Sequence, residues 1–533
     1  MFGRRPSVTS RRGVVAAAHP LAAQAGARIL SNGGNAFDAA VATAAALNVV
    51  EPYMSGLAGM GTAMVYVASE RRVRCLDFTP AVPLKFDPIA RRYDDLTRGP
   101  HGVGPPASLA GWMKMLDSYG SRTTAELFAD AIDLARGGFP VSEGNAHMIG
   151  GRLQDIAEIF AGWSEIFLDD GDEPDAGWIL HQHDLADTYE ALVSEGPDYL
   201  YHGPLGQALV NEIQALGGAL SMEDLAAVEA RWQVPIQIDY RGIEVNGAPP
   251  PSEGFQMLMT LALVRHLDVG ALERNGPEHL DAMIRAIRLS SRARFRHANA
   301  PIEIVEAILG DENLDRLRGL LDSAEAMCGP TEQIGAAPPP GSQPDPMLEH
   351  TTSFSVMDAE GNAVCLTQSL GAGFGSGIVV QGHGVLTNDL LRWGDLNPLS
   401  PNHLYPGAPL SLPIAPTISV RDGEPVLALG TPGSYGICQT QPQALVQHVD
   451  FGLDVQAAIE APRMRLMDGD LVLVESRIDQ TVIDDLCARG HGAEATDPWT
   501  MTVGGMQGAS RNPATGALQG GADPRRDGYA IGV

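Results

Sequence analysis

Residues 351–379 read TTSFSVMDAEGNAVCLTQSLGAGFGSGIV. Polar and apolar residues alternate over TTSFSVMD and again over AVCLTQSL, and between them lies Ala359-Glu360-Gly361-Asn362, a composition suited to a tight reversal. The pattern predicts a β-hairpin whose first strand begins at Thr351-Thr352. Just upstream, residues 329–350 read GPTEQIGAAPPPGSQPDPMLEH, dense in proline and glycine and without a periodic apolar face. That texture predicts a mobile linker running straight into the strand. A threonine at such a junction can attack the peptide bond before it. Scission of His350–Thr351 would give Thr351 a free α-amine with a reference pKa of about 7.7–8.0, able to accept the proton of its own hydroxyl. Paired threonines at a strand start are also an ordinary result of β-propensity, so the junction alone leaves both readings open.

Downstream, GIVVQG, HGVLTN, APTISVRDG, PVLALG and LVLVES are further strand candidates, with helices expected at about residues 437–449 and 454–461. Residues 351–533 are thus rich in strands and turns. Upstream, residues 107–330 are mostly of helical period, as in ELFADAIDLARGGF and GFQMLMTLALVRHL. Near the start, PLAAQAGARILS at 20–31 predicts a helix that stops at Gly33-Gly34. Asn35 then caps a second helix, with Asp38 placed to complete a capping box. The following AAVATAAALNVV is apolar on nearly every face, which predicts burial between layers.

Composition bounds the function. With 44% hydrophobic and 19% charged residues among 533, the chain can bury a large core. Sixty-five acidic residues against 36 basic ones give a formal charge of −29, which repels phosphate backbones and anionic lipid, so neither nucleic acid nor membrane is an expected partner. Cys75, Cys328, Cys365, Cys438 and Cys487 are far apart and form no C-x-x-C pair, which argues against a disulfide framework or thiolate zinc site. His181-Gln182-His183-Asp184 reads as a solvated helix start in preference to a metal site. GAGFGSG at 371–377 lacks the lysine of a phosphate loop and reads as a tight loop beside the hairpin. No apolar h-region follows the basic N-terminus, so the cytoplasm is the default location.

From about residue 12 to 533 the sequence resembles the γ-glutamyltransferase (glutathione hydrolase) family. The segments that carry this are GGNAFDAAVA (33–42), EP (51–52) with GLAGMGTAMVY (56–66), LDF (76–78) and DLARGGFPVSE (133–143). The block from 351 to 379 follows, and then APTI (415–418), GTPGS (430–434), DFGLDVQAAIEAPRMR (450–465) and GGADPR (520–525). The resemblance implies an α+β, four-layer αββα sandwich of the N-terminal-nucleophile hydrolase type. It implies a precursor cut into a large subunit, 1–350, helix-rich and ending in the linker, and a small subunit, 351–533, the two intertwined as a heterodimer, with further dimerisation left open. It implies Thr351 as nucleophile, Ser369 as the supporting hydroxyl, and backbone amides of Gly433 and Ser434 as oxyanion donors. No metal or organic cofactor is implied.

The substrate-binding pattern departs from the family's. Pro88 stands where an arginine holds the substrate carboxylate, with Arg91 and Arg92 only close in sequence. Gly371 replaces an asparagine, and Trp393, beyond Asn388, replaces the aspartate for the substrate amine, leaving Asp389 or Asp395 as stand-ins. Ser411 is the one hydroxyl in Leu410-Ser411-Leu412. A bidentate clamp on a carboxylate is not replaceable by proline. The expected activity is therefore hydrolysis or transfer of an acyl group from a small amide. The alternative to glutathione is a non-glutamyl amide, as for cephalosporin acylases and oxamate amidohydrolases. An inactive scaffold is the competing class.

Overall fold

The computed structural model describes residues 5–331 and 350–533, so most of the expected linker, 332–349, lies outside it. The linker does not begin as expected. Gly329 pairs with Gly469, and Thr331 is buried, its amide donating to Asp468 Oδ1 (2.8 Å) and its hydroxyl to the Leu466 carbonyl (3.0 Å). Residues 329–331 are therefore tied into the core in spite of their composition.

The predicted hairpin forms, with Thr352–Asp358 antiparallel to Ala363–Ser369 and Thr352 opposite Gln368. It lies at the centre of a seven-stranded sheet. In spatial order the strands are Tyr529–Gly532, Gly13–Ala17, the two hairpin strands, Met60–Val67, Arg72–Phe78 and Arg231–Gln233. A second seven-stranded sheet runs Val8–Ser10, Leu518–Ala522, Gln507–Arg511, Glu424–Gly430, Thr417–Arg421, Ile243–Gly247, Ile236–Tyr240. Each sheet thus mixes strands from both sides of residue 350.

Three apolar clusters separate four layers. One packs the hairpin's Phe354, Val356, Val364 and Leu366 against the helices of the first third of the chain. A second packs the other sheet against helices Phe255–Val264, Pro277–His297 and Ile437–Val449. The third, with Met64, Cys75, Met357, Cys365, Ile418, Ala428 and Ala509, fills the space between the sheets. The architecture is the α+β, αββα sandwich expected. The polar face of the hairpin meets the second sheet and not solvent: Ser355 Oγ donates to the Gln507 carbonyl (3.1 Å), and every residue of both strands is buried.

The helical segments follow their local signals. Helix Pro20–Ser31 ends before Gly33, at φ +82°, and helix Ala36–Val50 starts from Asn35 with the capping box in place. All fifteen residues of that second helix are buried. The two helices approach closely because position 26 is glycine: a Cβ there would lie 2.2 Å from Thr43 Oγ1. The half before residue 350 is less purely helical than its periodicity suggests. Ile236–Tyr240 and Ile243–Gly247 form a hairpin about Arg241-Gly242, both at positive φ, and Met60–Val67 is a fully buried strand with no polar alternation to reveal it.

The spacing between the sheets depends on Gly430, where a Cβ would meet Ser353 Oγ at 2.2 Å and Cys365 Sγ at 2.8 Å. Gly430→Ala should therefore lower thermal stability by about 1–3 kcal/mol through overpacking. Adding Ser353→Ala, which removes the nearest atom, should recover part of the loss in melts of the double variant.

Candidate active site

The hairpin pairing sets Thr351 and Ser369 on the same side of the sheet. Thr351 Oγ1 contacts both the carbonyl oxygen of His350, as donor, and Ser369 Oγ, at 3.2 Å. Ser369 Oγ in turn donates to the His350 carbonyl (3.0 Å) and accepts the amide of Gly371 (3.0 Å). Two hydroxyls thus converge on the carbonyl of the 350–351 peptide bond, at a site where Thr351 is 4% exposed and His350 fully buried. The His350 ring lies over Gly373, where a Cβ would sit 2.5 Å from Nε2.

A third group comes from the far end of the chain. Arg526 Nη1 donates to the Thr351 carbonyl (3.1 Å) and contacts Met54 Sδ (3.3 Å). Its stem crosses Gly505, where a Cβ would lie 2.5 Å from the arginine Cδ. The segment that carries Arg526 is fixed by buried charges. Arg525 donates to Glu475 Oε1 (2.9 Å) and Asp523 Oδ1 (3.0 Å), and Arg463 to Asp523 Oδ2 (2.6 Å). These guanidinium neighbours hold the Asp523 carboxyl down at about 2, opposing the desolvation that would raise it, so the pairs stay ionised at any ordinary pH.

Gly433 and Ser434 follow strand Glu424–Gly430 in a turn of positive φ, +130° and +56°. A Cβ on Gly433 would touch the Gly504 Cα at 3.2 Å, and Gly505 donates to Thr431 Oγ1 (3.2 Å). This turn thus borders the Gly504-Gly505 segment that the Arg526 stem crosses.

The expected substrate-binding residues fare differently. Asp389 is brought beside the hydroxyl pair: its Oδ1 accepts the Ala372 amide (2.7 Å) and occupies the place of a side chain at residue 371, where a Cβ would be 2.1 Å away at φ +105°. Only glycine fits there. Burial pushes the Asp389 carboxyl above the ordinary carboxylate range, against the pull of Arg392 at 3.5 Å. Asn388 is fully buried and its amide is occupied by backbone, donating to Ala58 (2.6 Å) and Gly104 (2.9 Å) and accepting from Gly104 (2.8 Å). Ser411 is buried and turns to Glu253 Oε1 and the Pro251 carbonyl, both at 3.1 Å. Arg91 follows the short turn Pro88–Ala90, with Asp95 and the His101 imidazole, which burial and Arg91 keep neutral, as its neighbours. Trp393 packs edge-on against Tyr435, and Tyr435 in turn covers the guanidinium of Arg294, which is paired with Glu253 at 2.8 Å.

Two groups near Thr351 escape a reading of the sequence. Arg526 lies one residue past the GGADPR segment. Glu51 belongs to the EP pair and accepts the hydroxyl of Thr352 (2.8 Å). Burial pushes its carboxyl up to about 7, with Arg526 pulling the other way. Among the described residues, no three His, Cys, Asp or Glu side chains converge as metal ligands, and no helix is long and apolar enough to cross a membrane. His181 and His183 stack with ring centroids 5.2 Å apart at the start of helix His183–Glu195.

Comparison with known proteins places these features in context. The sequence profile described as gamma-glutamyltranspeptidase matches residues 22–533. The chain is 31% identical over 554 residues to the glutathione hydrolase proenzyme of Bacillus subtilis (strain 168), covering 98% of this chain and 91% of that one. It is 33% identical over 547 residues to the acylase ACY 1 proenzyme of Pseudomonas sp. (strain SE83), covering 99% and 95%. The crystal structure of the cephalosporin acylase from Bacillus halodurans superposes with a TM-score of 0.90 at 28% identity, over 100% of this chain and 98% of that one.

Proposed function

The chain belongs to the gamma-glutamyltranspeptidase family, and from that premise we propose that it cuts its own His350–Thr351 bond and then works through Thr351 as a terminal nucleophile. It is an amidohydrolase or acyltransferase of the N-terminal-nucleophile type. The observation that carries the residue assignment is the contact of the Thr351 and Ser369 hydroxyls with one another and with the His350 carbonyl.

In the intact chain, Ser369 donates to the carbonyl oxygen and so polarises the carbon that Thr351 Oγ1 attacks. Bond formation from Oγ1 to the His350 carbon and rupture of the carbon–nitrogen bond, with the Oγ1 proton passing to the departing nitrogen, leave an ester and a free Thr351 amine. Water then hydrolyses the ester and releases the His350 carboxylate. The same hydroxyl, with its own amine as base, next attacks the carbonyl of a small amide, and water or an amine resolves the acyl-enzyme. Ser369 orients the hydroxyl, Arg526 holds the Thr351 carbonyl, and the Gly433 and Ser434 amides take the oxyanion. Fragments 1–350 and 351–533 stay together as a heterodimer, because each sheet draws strands from both.

The acyl group we assign is not γ-glutamyl. A glutamyl head group needs free polar partners for its amine and carboxylate. Here Asn388 and Ser411 are held by backbone and Glu253, Asp389 fills the space above Gly371 beside Arg392, and Trp393 packs against Tyr435. The resemblance to both a glutathione hydrolase and acylases leaves room for this choice.

Denaturing electrophoresis with N-terminal sequencing should find a fragment that begins Thr351-Thr352, and Thr351→Ala should leave the chain whole. Ser369→Ala should slow scission by roughly a hundredfold, while Ser369→Thr retains it. On the cut enzyme, kcat/KM for a simple acyl amide should exceed that for glutathione by about a hundredfold or more. Equal or better turnover of glutathione would restore the glutamyl assignment.

A further inference from the structure

On its helix-facing side the hairpin rests on polar groups where the neighbouring residues rest on apolar ones. Gln368 Nε2, opposite Thr352, donates to the Ala44 carbonyl (3.2 Å), Asn48 Oδ1 (3.2 Å) and Ser55 Oγ (3.0 Å), and Ser55 donates to Asn48 (2.8 Å). Thr352 meets Glu51, the residue that ends helix Ala36–Val50. One residue away, Arg526 holds the Thr351 carbonyl and the Met54 sulfur, and the Met54 carbonyl accepts the Leu370 amide (3.2 Å). Glu51 and Arg526 thus grip consecutive residues at the start of the strand, one by side chain and one by backbone. They also attract each other electrostatically. Both line a cavity of about 170 Å3, shared with Tyr53, Met54, His147 and Asp527.

Buried polar networks of this kind add little net stability, but they fix a single arrangement where apolar packing would tolerate several. The geometry points to Glu51 as a positioning residue for the Thr351 nucleophile, acting as a carboxylate through the Thr352 hydroxyl and opposite Arg526. The inference rests on Thr351 being the nucleophile. A shift of the strand start by a fraction of an ångström would change the Thr351–Ser369 separation directly, because both residues continue the strands that Thr352 and Gln368 pair.

The charged and titratable groups around Glu51 are Arg525, Arg526, Asp527, Tyr53 and His147. Arg526 favours its ionised form and Asp527 opposes it, while burial is the largest influence and raises the carboxyl to about 7. The carboxylate is therefore lost as the pH falls through about 7, close to where the terminal amine also takes up its proton. Two deprotonations therefore shape the acid side, that of the amine and, for the full rate, that of Glu51.

The test uses the full chain after scission, with the Thr351 terminus verified by sequencing before any kinetics; a chain that never yields this terminus overturns the nucleophile assignment itself. For the wild type, log(kcat/KM) on an acyl amide should fall below neutrality more steeply than a slope of about one while Glu51 titrates, an excess loss of about tenfold, and then settle to a slope of about one. Glu51→Gln, nearly isosteric, should cut kcat about tenfold with KM within about twofold and remove that excess fall, leaving a slope of about one throughout, while Glu51→Asp restores part of kcat. Thr352→Val should repeat the kcat loss, and the double variant should be no worse than either single one. If Glu51→Gln lowers the yield of folded enzyme, Thr352→Val carries the same comparison without touching residue 51. The excess fall retained in Glu51→Gln, or losses that multiply in the double variant, would overturn the proposal.

Discussion

The antiparallel pairing of Thr352 with Gln368 is the contact on which the site depends. In a sheet, a slip of one residue sends every side chain to the opposite face. Such a slip here would turn the Thr351 and Ser369 hydroxyls away from each other and from the His350 carbonyl. The register is held from both sides. Below the strands, Phe354, Val356, Val364 and Leu366 enter the helix layer; above them, Ser353, Ser355 and Met357 meet the second sheet, with Gly430 setting the distance. Neither face is open to solvent, so the hairpin has no cheap alternative placement.

Around that pairing, long-range charge does what local sequence cannot. The C-terminal segment Asp523–Asp527 is an irregular connection between two edge-side strands, yet it presents Arg526 to Thr351 from 175 positions away. It can do so because Asp523, Arg525, Arg463 and Glu475 form a buried lattice in which Asp523 bridges Arg463 and Arg525, and Arg525 bridges Asp523 and Glu475. Removing one member of such a set leaves the others ionised and uncompensated, at a cost of about 3–5 kcal/mol. The placement of the Thr351 carbonyl thus rests partly on charges that do not touch it.

What could be read from residues alone follows from how local each signal is. The Asn35–Asp38 capping box and the Ala359–Asn362 reversal sit within a few positions and were legible in full. The strands Gly13–Ala17 and Met60–Val67 were not, because burial on both faces erases the polar alternation that marks a strand. Composition misread Gly329–Thr331, whose partners lie in Leu466–Gly469. At the site, Thr351 and Ser369 came from the hairpin pattern joined to a family resemblance. Glu51 lies in the quoted EP pair and Arg526 just past GGADPR, but their contacts with Thr352 and Thr351 are set only by what folds against them. Asn388 and Ser411 show the converse: a position can be matched to a family while its polar atoms are already taken by the backbone.

The interleaving of strands from either side of residue 350 has a consequence for the life of the molecule. While the chain is continuous, its two halves find each other at a concentration set by their covalent tether. With the proposed scission that tether is lost, the same fourteen strands would belong to two molecules, and regaining the native state after denaturation would become a second-order encounter that dilution penalises. A protein so cut would assemble once, as a single polymer, and thereafter endure by the height of its unfolding barrier and not by a reversible balance.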